Sequence, residues 1–242
     1  MAKKIFARFW AGWGLLSFII TFFIIFLPAM LAYLLPQPQG QIYFIYVSRV
    51  WMSVWLFLIG CPLQIRGREN FIGNTTYVVL FNHNALLDIP LSAPFVPGAN
   101  KTIAKASFSK IPLFGWFYKM GSILVDRKNE KSRSKSFEAM KNVLDMGMHM
   151  CIYPEGTRNR TNQPLKEFYD GAFKLAVSSK KEIIPCIITG TKKAMPITKS
   201  FYLLPVKLKL HFLPAVASDG IPVKELKEKV FQIMWDYYKE QA

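Results

Sequence analysis

The chain has 242 residues, room for one domain with a substantial core and little for a second. Thirty-one Lys and Arg against fifteen Asp and Glu give a net charge of +16, which calls for an anionic surface or ligand. The sequence has no basic recognition helix, zinc finger or aromatic RNA-binding signature, so nucleic acid is set aside in favour of anionic lipid.

Hydrophobic residues make up 52% of the chain and are densest in its first third, which points to a membrane. From Phe9 to Leu35 there is no charged residue, and the run follows Lys3, Lys4 and Arg8 as a cytoplasmic-side flank would. A second apolar stretch, Ile42 to Ile65, is broken by Arg49 and Pro62 and suits either a weaker span or an interfacial segment. Pro36 to Gly40 reads as a connector, so residues 1–62 are expected to form a membrane-embedding helical hairpin. Trp10, Trp13, Trp51 and Trp55 suit the headgroup region or helix-on-helix packing equally well.

Beyond Pro62, short β-rich runs alternate with amphipathic stretches, the pattern of an α/β domain over residues 63–242. Thr75 to Phe81 is the first clear strand; Lys135 to Met146 reads as a helix, Met148 to Tyr153 as a strand, Phe168 to Ser179 as a helix and Glu182 to Thr189 as a buried strand. Val206 to Phe212 alternates strictly and predicts a half-exposed strand, with Lys207, Lys209 and His211 on its polar face. The tail from Pro222 carries Leu226, Val230, Ile233 and Tyr237 on one helical stripe. Cys61, Cys151 and Cys186 stand apart in apolar contexts and read as buried thiols. No Cys-x-x-Cys, His-Glu-x-x-His or acidic calcium loop occurs, so no bound metal cofactor is expected.

His83 follows the strand that ends at Phe81, and Asp88 stands five residues later. Five residues on an ideal helix are about 140° apart, so the two can meet only if His83 lies in the loop and Asp88 in the first turn of the next helix. Asp88 would then accept the Nδ1 proton, leaving Nε2 as a base. His149 and His211 lack such a carboxylate and read as structural. Tyr153-Pro-Glu-Gly-Thr-Arg158 joins a Gly-containing turn to a carboxylate and a guanidinium suited to phosphate, or else to a salt-bridged turn. Gly121 to Arg127 ends in Asp-Arg, and Lys105 precedes Ser107 to Trp116.

Taken in order, the blocks Asn82-His83 to Asp88, Gly121 to Arg127, Tyr153 to Arg158 and Ile183 to Cys186, with Asp170 to Lys174 between the last two, resemble the glycerolipid acyltransferases, most of all the lysophosphatidic acid acyltransferases. The resemblance covers residues 63–212. It implies a mixed, largely parallel sheet flanked by helices, and acyl transfer from acyl-CoA or acyl carrier protein to the free secondary hydroxyl of lysophosphatidic acid at the cytoplasmic face of a membrane. It implies His83 as general base, Asp88 as its orienting partner, and Lys105, Arg127 and Arg158 as grips on the acceptor's phosphate, with Glu155, Gly156 and Thr157 shaping that pocket. A thioester carries its own good leaving group, so no enzyme nucleophile is required, and no Gly-x-Ser-x-Gly elbow is present. The family commonly has Ser where Ala85 stands, and Phe and Ser where Tyr153 and Asn159 stand, which leaves acceptor preference open. The remaining alternatives are a sister enzyme for glycerol-3-phosphate, another lysophospholipid or a lyso-aminolipid, and an inactive membrane-anchored lipid-binding protein.

Overall fold

The uncharged N-terminal segment folds as helix α1, Ala2–Met30, and continues through one 3-10 turn into a connector and helix α2, Gln39–Leu58. The computed structural model describes residues 1–126 and 129–241. Both helices are long and apolar enough to cross a membrane. They form a hairpin whose seam is set by small residues on α1 and tryptophans on α2. Trp55 Nε1 donates to the carbonyl of Gly14 at 3.0 Å and Trp51 Nε1 to the hydroxyl of Thr21 at 2.9 Å. A Cβ on Gly14 would lie 2.6 Å from a methyl carbon of Leu203, so a larger residue there would require the Leu203 side chain to move. Trp10 and Trp13 donate to the carbonyls of Ile59 and Leu58, each at 2.9 Å, satisfying acceptors that the end of α2 leaves open. All four tryptophans thus serve helix-on-helix packing.

The second apolar run is not one element. Helix α2 stops at Leu58, Gly60 turns with φ +64°, and Leu63–Arg66 becomes strand β1, because Pro62 brings no N–H and disfavours helix in the residue before it. Arg49, which interrupts the run, points into the protein, donating to the carbonyls of Pro94 at 2.7 Å and Val96 at 2.9 Å.

Among the described residues seven strands make one sheet: β1, then β2 (Val78–Phe81), β3 (Asn100–Lys105), β4 (Ser122–Val125), β5 (His149–Ile152), β6 (Ile183–Thr189) and β7 (Leu208–Phe212), in the order β1-β7-β6-β2-β5-β3-β4. Every pairing is parallel except β6 with β7. The mixed, largely parallel sheet is therefore as expected. The helices between are α3 (Asp88–Leu91), α4 (Phe114–Met120), α5 (Glu130–Asp145), α6 (Gly171–Ser178), α7 (Thr191–Ala194) and α8 (Val223–Gln241).

Alternation along β2 sorts the core into two layers. Val78 and Leu80 pack with Met140 and Leu144 of α5, Phe173 of α6 and Leu226 and Val230 of α8. Val79 and Phe81 face the other way, into one cluster with Phe22, Phe26, Trp51, Met52 and Trp55 of the hairpin. The hairpin thus packs on this face of the sheet, together with Leu87, Leu91, Phe95 and Leu203. It is held there from end to end: the N–H of Leu203 donates to the carbonyl of Ala7, Gln41 Nε2 to that of Asn100, and the Tyr33 hydroxyl to that of Trp116.

Several expectations need correcting. Strand β7 is not half exposed: it lies inside the sheet between β1 and β6, and His211 is buried against Tyr237 of α8, to which its ring nitrogen hydrogen-bonds. Strands β1 and β3 escape the periodicity argument, since β1 has four residues and Lys101 and Lys105 interrupt β3. Helix α5 starts at Glu130, before Lys135, because the side chain of Asn129 caps it by accepting from the N–H of Ser132. The three cysteines are buried free thiols.

Candidate active site

Parallel strands deliver their C-terminal ends to one edge of the sheet, and that edge gathers the sequence blocks. The register Val78↔Met150 and Leu80↔Ile152 sets the loop after β2 beside the loop after β5, so His83 and Tyr153 emerge as neighbours. Asn82 fixes the exit of β2: it donates to the carbonyl of Ile188 at 2.9 Å and accepts from the same residue's N–H at 2.6 Å.

His83 lies in the loop and Asp88 opens α3, with His83 Nδ1 2.9 Å from Asp88 Oδ2. The same oxygen accepts the N–H groups of Asn84 at 2.6 Å and Ala85 at 2.7 Å. One fully buried carboxylate oxygen therefore both closes the loop and orients the imidazole. With Nδ1 donating, Nε2 is the unprotonated nitrogen, and no described residue hydrogen-bonds to it.

The loop after β5 is built around the other side of His83. Gly156 takes φ +69°, a conformation that favours glycine, and the turn brings Glu155 back so that Oε1 accepts the N–H of His83 at 2.7 Å and Oε2 that of Lys166 at 3.0 Å. Asn159 N–H donates to the His83 carbonyl at 2.6 Å, so both backbone groups of His83 are held from this loop. Burial pushes the Glu155 carboxyl up to about 7, against the pull of those two N–H donors. Tyr153 places its ring 4.4 Å from the imidazole and donates its hydroxyl toward the carbonyl of Asp88 at 2.9 Å and the Ser92 hydroxyl at 2.8 Å. Burial, with the charge of Asp88, holds that phenol well above its usual range, so it stays a donor.

Beside the loop lies a cavity of about 850 Å³ between the hairpin, α4 and residues 195–203. Its walls are apolar, with Phe18, Trp51, Leu86, Leu87 and Phe117 among them, and Arg158 supplies a guanidinium. Arg158 forms no ion pair with Glu155 or Asp170 among the described residues; Asp170 pairs instead with Lys227 at 2.7 Å. The salt-bridged-turn reading of Arg158 therefore has no support in the geometry. Thr157 is exposed and its hydroxyl accepts from Lys166 Nζ at 3.0 Å. Lys105 ends β3 on the same sheet edge but stands outside the cavity wall. Arg127 lies outside the described residues.

Sequence reasoning missed the buried frame of the site. Asn82, Asn84, Ser92, Asn159 and the Tyr153 hydroxyl all bind the loops to one another, and Tyr238 of α8 reaches back, its hydroxyl 3.2 Å from Asn84 Nδ2. Polar residues crowded around His83 just after an apolar strand were the available signal for Asn82 and Asn84. Nothing local in the sequence marks Tyr238.

A family model described as acyltransferase matches residues 62–189. The 1-acyl-sn-glycerol-3-phosphate acyltransferase of Cocos nucifera is 30% identical over 207 residues, 83% of this chain and 65% of the relative. That of Saccharomyces cerevisiae is 31% identical over 200 residues, 80% and 65% of the two chains. The chain thus spans slightly under two thirds of the length of these curated relatives. Among solved structures, the crystal structure of the 1-acyl-sn-glycerophosphate (LPA) acyltransferase PlsC from Thermotoga maritima has the same fold, with a TM-score of 0.81 over 98% of this chain and 96% of that one, at 21% identity. With more than half of its length matched by the family model, and with the motif loops gathered at one sheet edge, this chain belongs to the acyltransferase family.

Proposed function

We propose that this protein transfers a fatty acyl group from a thioester, acyl-CoA or acyl carrier protein, to the free secondary hydroxyl of lysophosphatidic acid, giving phosphatidic acid. The observation that carries the reading is the His83–Asp88 pair at 2.9 Å beside an apolar cavity whose wall contains one guanidinium. His83 Nε2 takes the proton of the acceptor hydroxyl as its oxygen attacks the thioester carbonyl. The carbon–sulfur bond breaks, and the thiolate leaves with the proton carried by the imidazolium. Asp88 holds the tautomer and stabilises that imidazolium. The thioester is a co-substrate, and the reading calls for no bound cofactor.

Arg158 binds the acceptor's phosphate through two parallel donors, while the acyl chains occupy the apolar cavity. Glu155, Gly156 and Thr157 act on the pocket through the turn that presents Arg158. Lys105 and Arg127 are assigned to attracting the phosphate or the acidic donor. Residues 1–62 anchor the protein to a membrane, with the site on its cytoplasmic face and residues 63–242 as the acyltransferase domain. The rest of the protein is bonded to the hairpin at Ala7, Tyr33 and Gln41, which favours embedding within one leaflet over a straight span, because a span would carry the polar domain into hydrocarbon.

The test is an acyl-transfer assay in mixed micelles that crosses both donors with lysophosphatidic acid, glycerol-3-phosphate, other lysophospholipids and a lyso-aminolipid. Preferential consumption of lysophosphatidic acid supports the reading. Turnover of another acceptor alone reassigns the substrate, and the absence of thioester consumption with every acceptor refutes the activity.

A further inference from the structure

The mouth of the cavity is unlike that of a site open to water. Leu15, Leu86, Ile89, Phe108, Ile111 and Phe201 all line the cavity and are also 43–56% exposed, so the rim itself is apolar. Only Leu15 belongs to the hairpin. The other five belong to the catalytic domain: Leu86 in the loop beside His83, Ile89 in α3, Phe108 and Ile111 in the 3-10 turn Ala106–Lys110 and just after it, and Phe201 in the segment before β7.

This rim continues into the exposed face of the hairpin. Trp116 of α4 is exposed, stacks on Phe26 of α1, and has its carbonyl bound by the Tyr33 hydroxyl at 2.8 Å. Ile19, Ile20, Phe23, Ile24 and Leu27 of α1 extend the same kind of surface. The same segments carry exposed lysines: Lys105 and Lys110 at the two ends of the 3-10 turn, Lys119 in α4, and Lys199, which lines the cavity next to Phe201. A contiguous apolar patch of this kind marks an interaction surface, and one bordered by lysines on a protein of net charge +16 matches a bilayer with anionic headgroups.

We propose that the catalytic domain inserts in its own right: residues 106–116 and the Phe201 loop form a second membrane-contacting element, alongside α1, so that the cavity opens sideways into the acyl region of an anionic bilayer and lipid chains enter without crossing water. The proposal rests on the membrane-anchor reading of the hairpin. It goes beyond that reading by setting the depth of the domain: bilayer reaches the rim, and the lysines mark where headgroups begin. Lysines and arginines with long stems suit that boundary, since the stem lies along apolar surface while the charge reaches the headgroups.

The three native cysteines are buried, so an environment-sensitive fluorophore can be attached to a single new thiol in the full chain. Phe108→Cys, Ile111→Cys and Phe201→Cys report the rim, Ile20→Cys the hairpin, and Lys229→Cys the exposed side of α8. Each labelled protein is bound to vesicles of phosphatidylcholine and phosphatidylglycerol and exposed to lipids carrying a quencher in the acyl chain, or to iodide in the buffer. The rim labels are expected to lose fluorescence to the acyl-chain quencher and to resist iodide, as the Ile20 label does, with the Lys229 label behaving oppositely. Rim labels quenched by iodide while the Ile20 label is quenched by lipid would overturn the proposal and leave the anchor standing. Rim labels shielded from both quenchers would assign the rim to another protein surface, such as a second copy, and overturn it equally. An Ile20 label quenched by iodide would remove the anchor reading and the proposal with it.

Discussion

Asp88→Asn separates what the carboxylate does as charge from what it does as a brace. Its Oδ2 accepts three donors, His83 Nδ1, Asn84 N–H and Ala85 N–H, at 2.9, 2.6 and 2.7 Å, while Oδ1 is buried without a hydrogen-bond partner. The asparagine keeps all three bonds only with its carbonyl at the Oδ2 position, because the flipped amide would aim N–H groups at two backbone donors. In that rotamer the tautomer of His83 survives. What disappears is the negative charge facing the imidazolium, worth about 4 kcal/mol for charges about 4 Å apart at an effective dielectric of about 20. At about 1.4 kcal/mol per decade, that predicts a loss of about a thousandfold in kcat. The new amide N–H₂ also falls where Oδ1 was, and a buried donor without an acceptor costs about 1–3 kcal/mol of stability. The assay is release of free thiol from acyl-CoA in mixed micelles with lysophosphatidic acid, run beside a thermal melt. A folded variant whose kcat stays within about tenfold of the parent would refute the assignment of Asp88 as the partner that stabilises His83.

His83→Ala removes the base and is expected to lower kcat by about a hundredfold to ten-thousandfold, with membrane association unchanged in a flotation assay. Arg158→Lys exchanges two parallel donors for a point charge, so steady-state kinetics should show a raised KM for the lyso-acceptor with the KM for the donor unchanged; equal damage to both would count against phosphate recognition. Glu155 gives a pH signature: its folded value of about 7 lies above the ordinary 4.5, so the folded protein favours the protonated form and loses stability as pH rises from about 4.5 to about 7. Denaturant midpoints of the parent relative to Glu155→Gln should fall across that window and level off above it, whereas a pH-independent difference would exclude the titration. Deleting residues 1–62 strips Phe22, Phe26, Trp51 and Trp55 from the core they share with Phe81 and Leu210. The remaining chain is expected to sediment without detergent, and a monomeric domain with a cooperative melt would disprove the shared core.

What the sequence determined by itself is whatever depends on neighbours along the chain. The uncharged run from Phe9 to Leu35 is a helix because nothing in it offers an alternative to burying apolar side chains with the backbone satisfied locally. Short, largely apolar runs sufficed for β2, β5 and β6, which are buried along nearly their whole length. The five-residue spacing of His83 and Asp88 already required a loop followed by a helix start, which is how the two are arranged. Tertiary structure decided the rest. Whether the tryptophans faced headgroups or a partner helix turned on Gly14 and Thr21 for Trp55 and Trp51, and on the carbonyls of Ile59 and Leu58 for Trp10 and Trp13, all distant in sequence. His211 sits on a strand face that reads as polar, and it is buried only because α8 folds back over it. Glu155 carries a carboxylate like any other in the sequence, and its raised pKa comes from burial, which outweighs the pull of the His83 and Lys166 N–H groups, each more than ten residues distant along the chain. Long-range packing fixes these features, because the free energy of a buried polar group is set by partners that only the folded chain brings within hydrogen-bond reach.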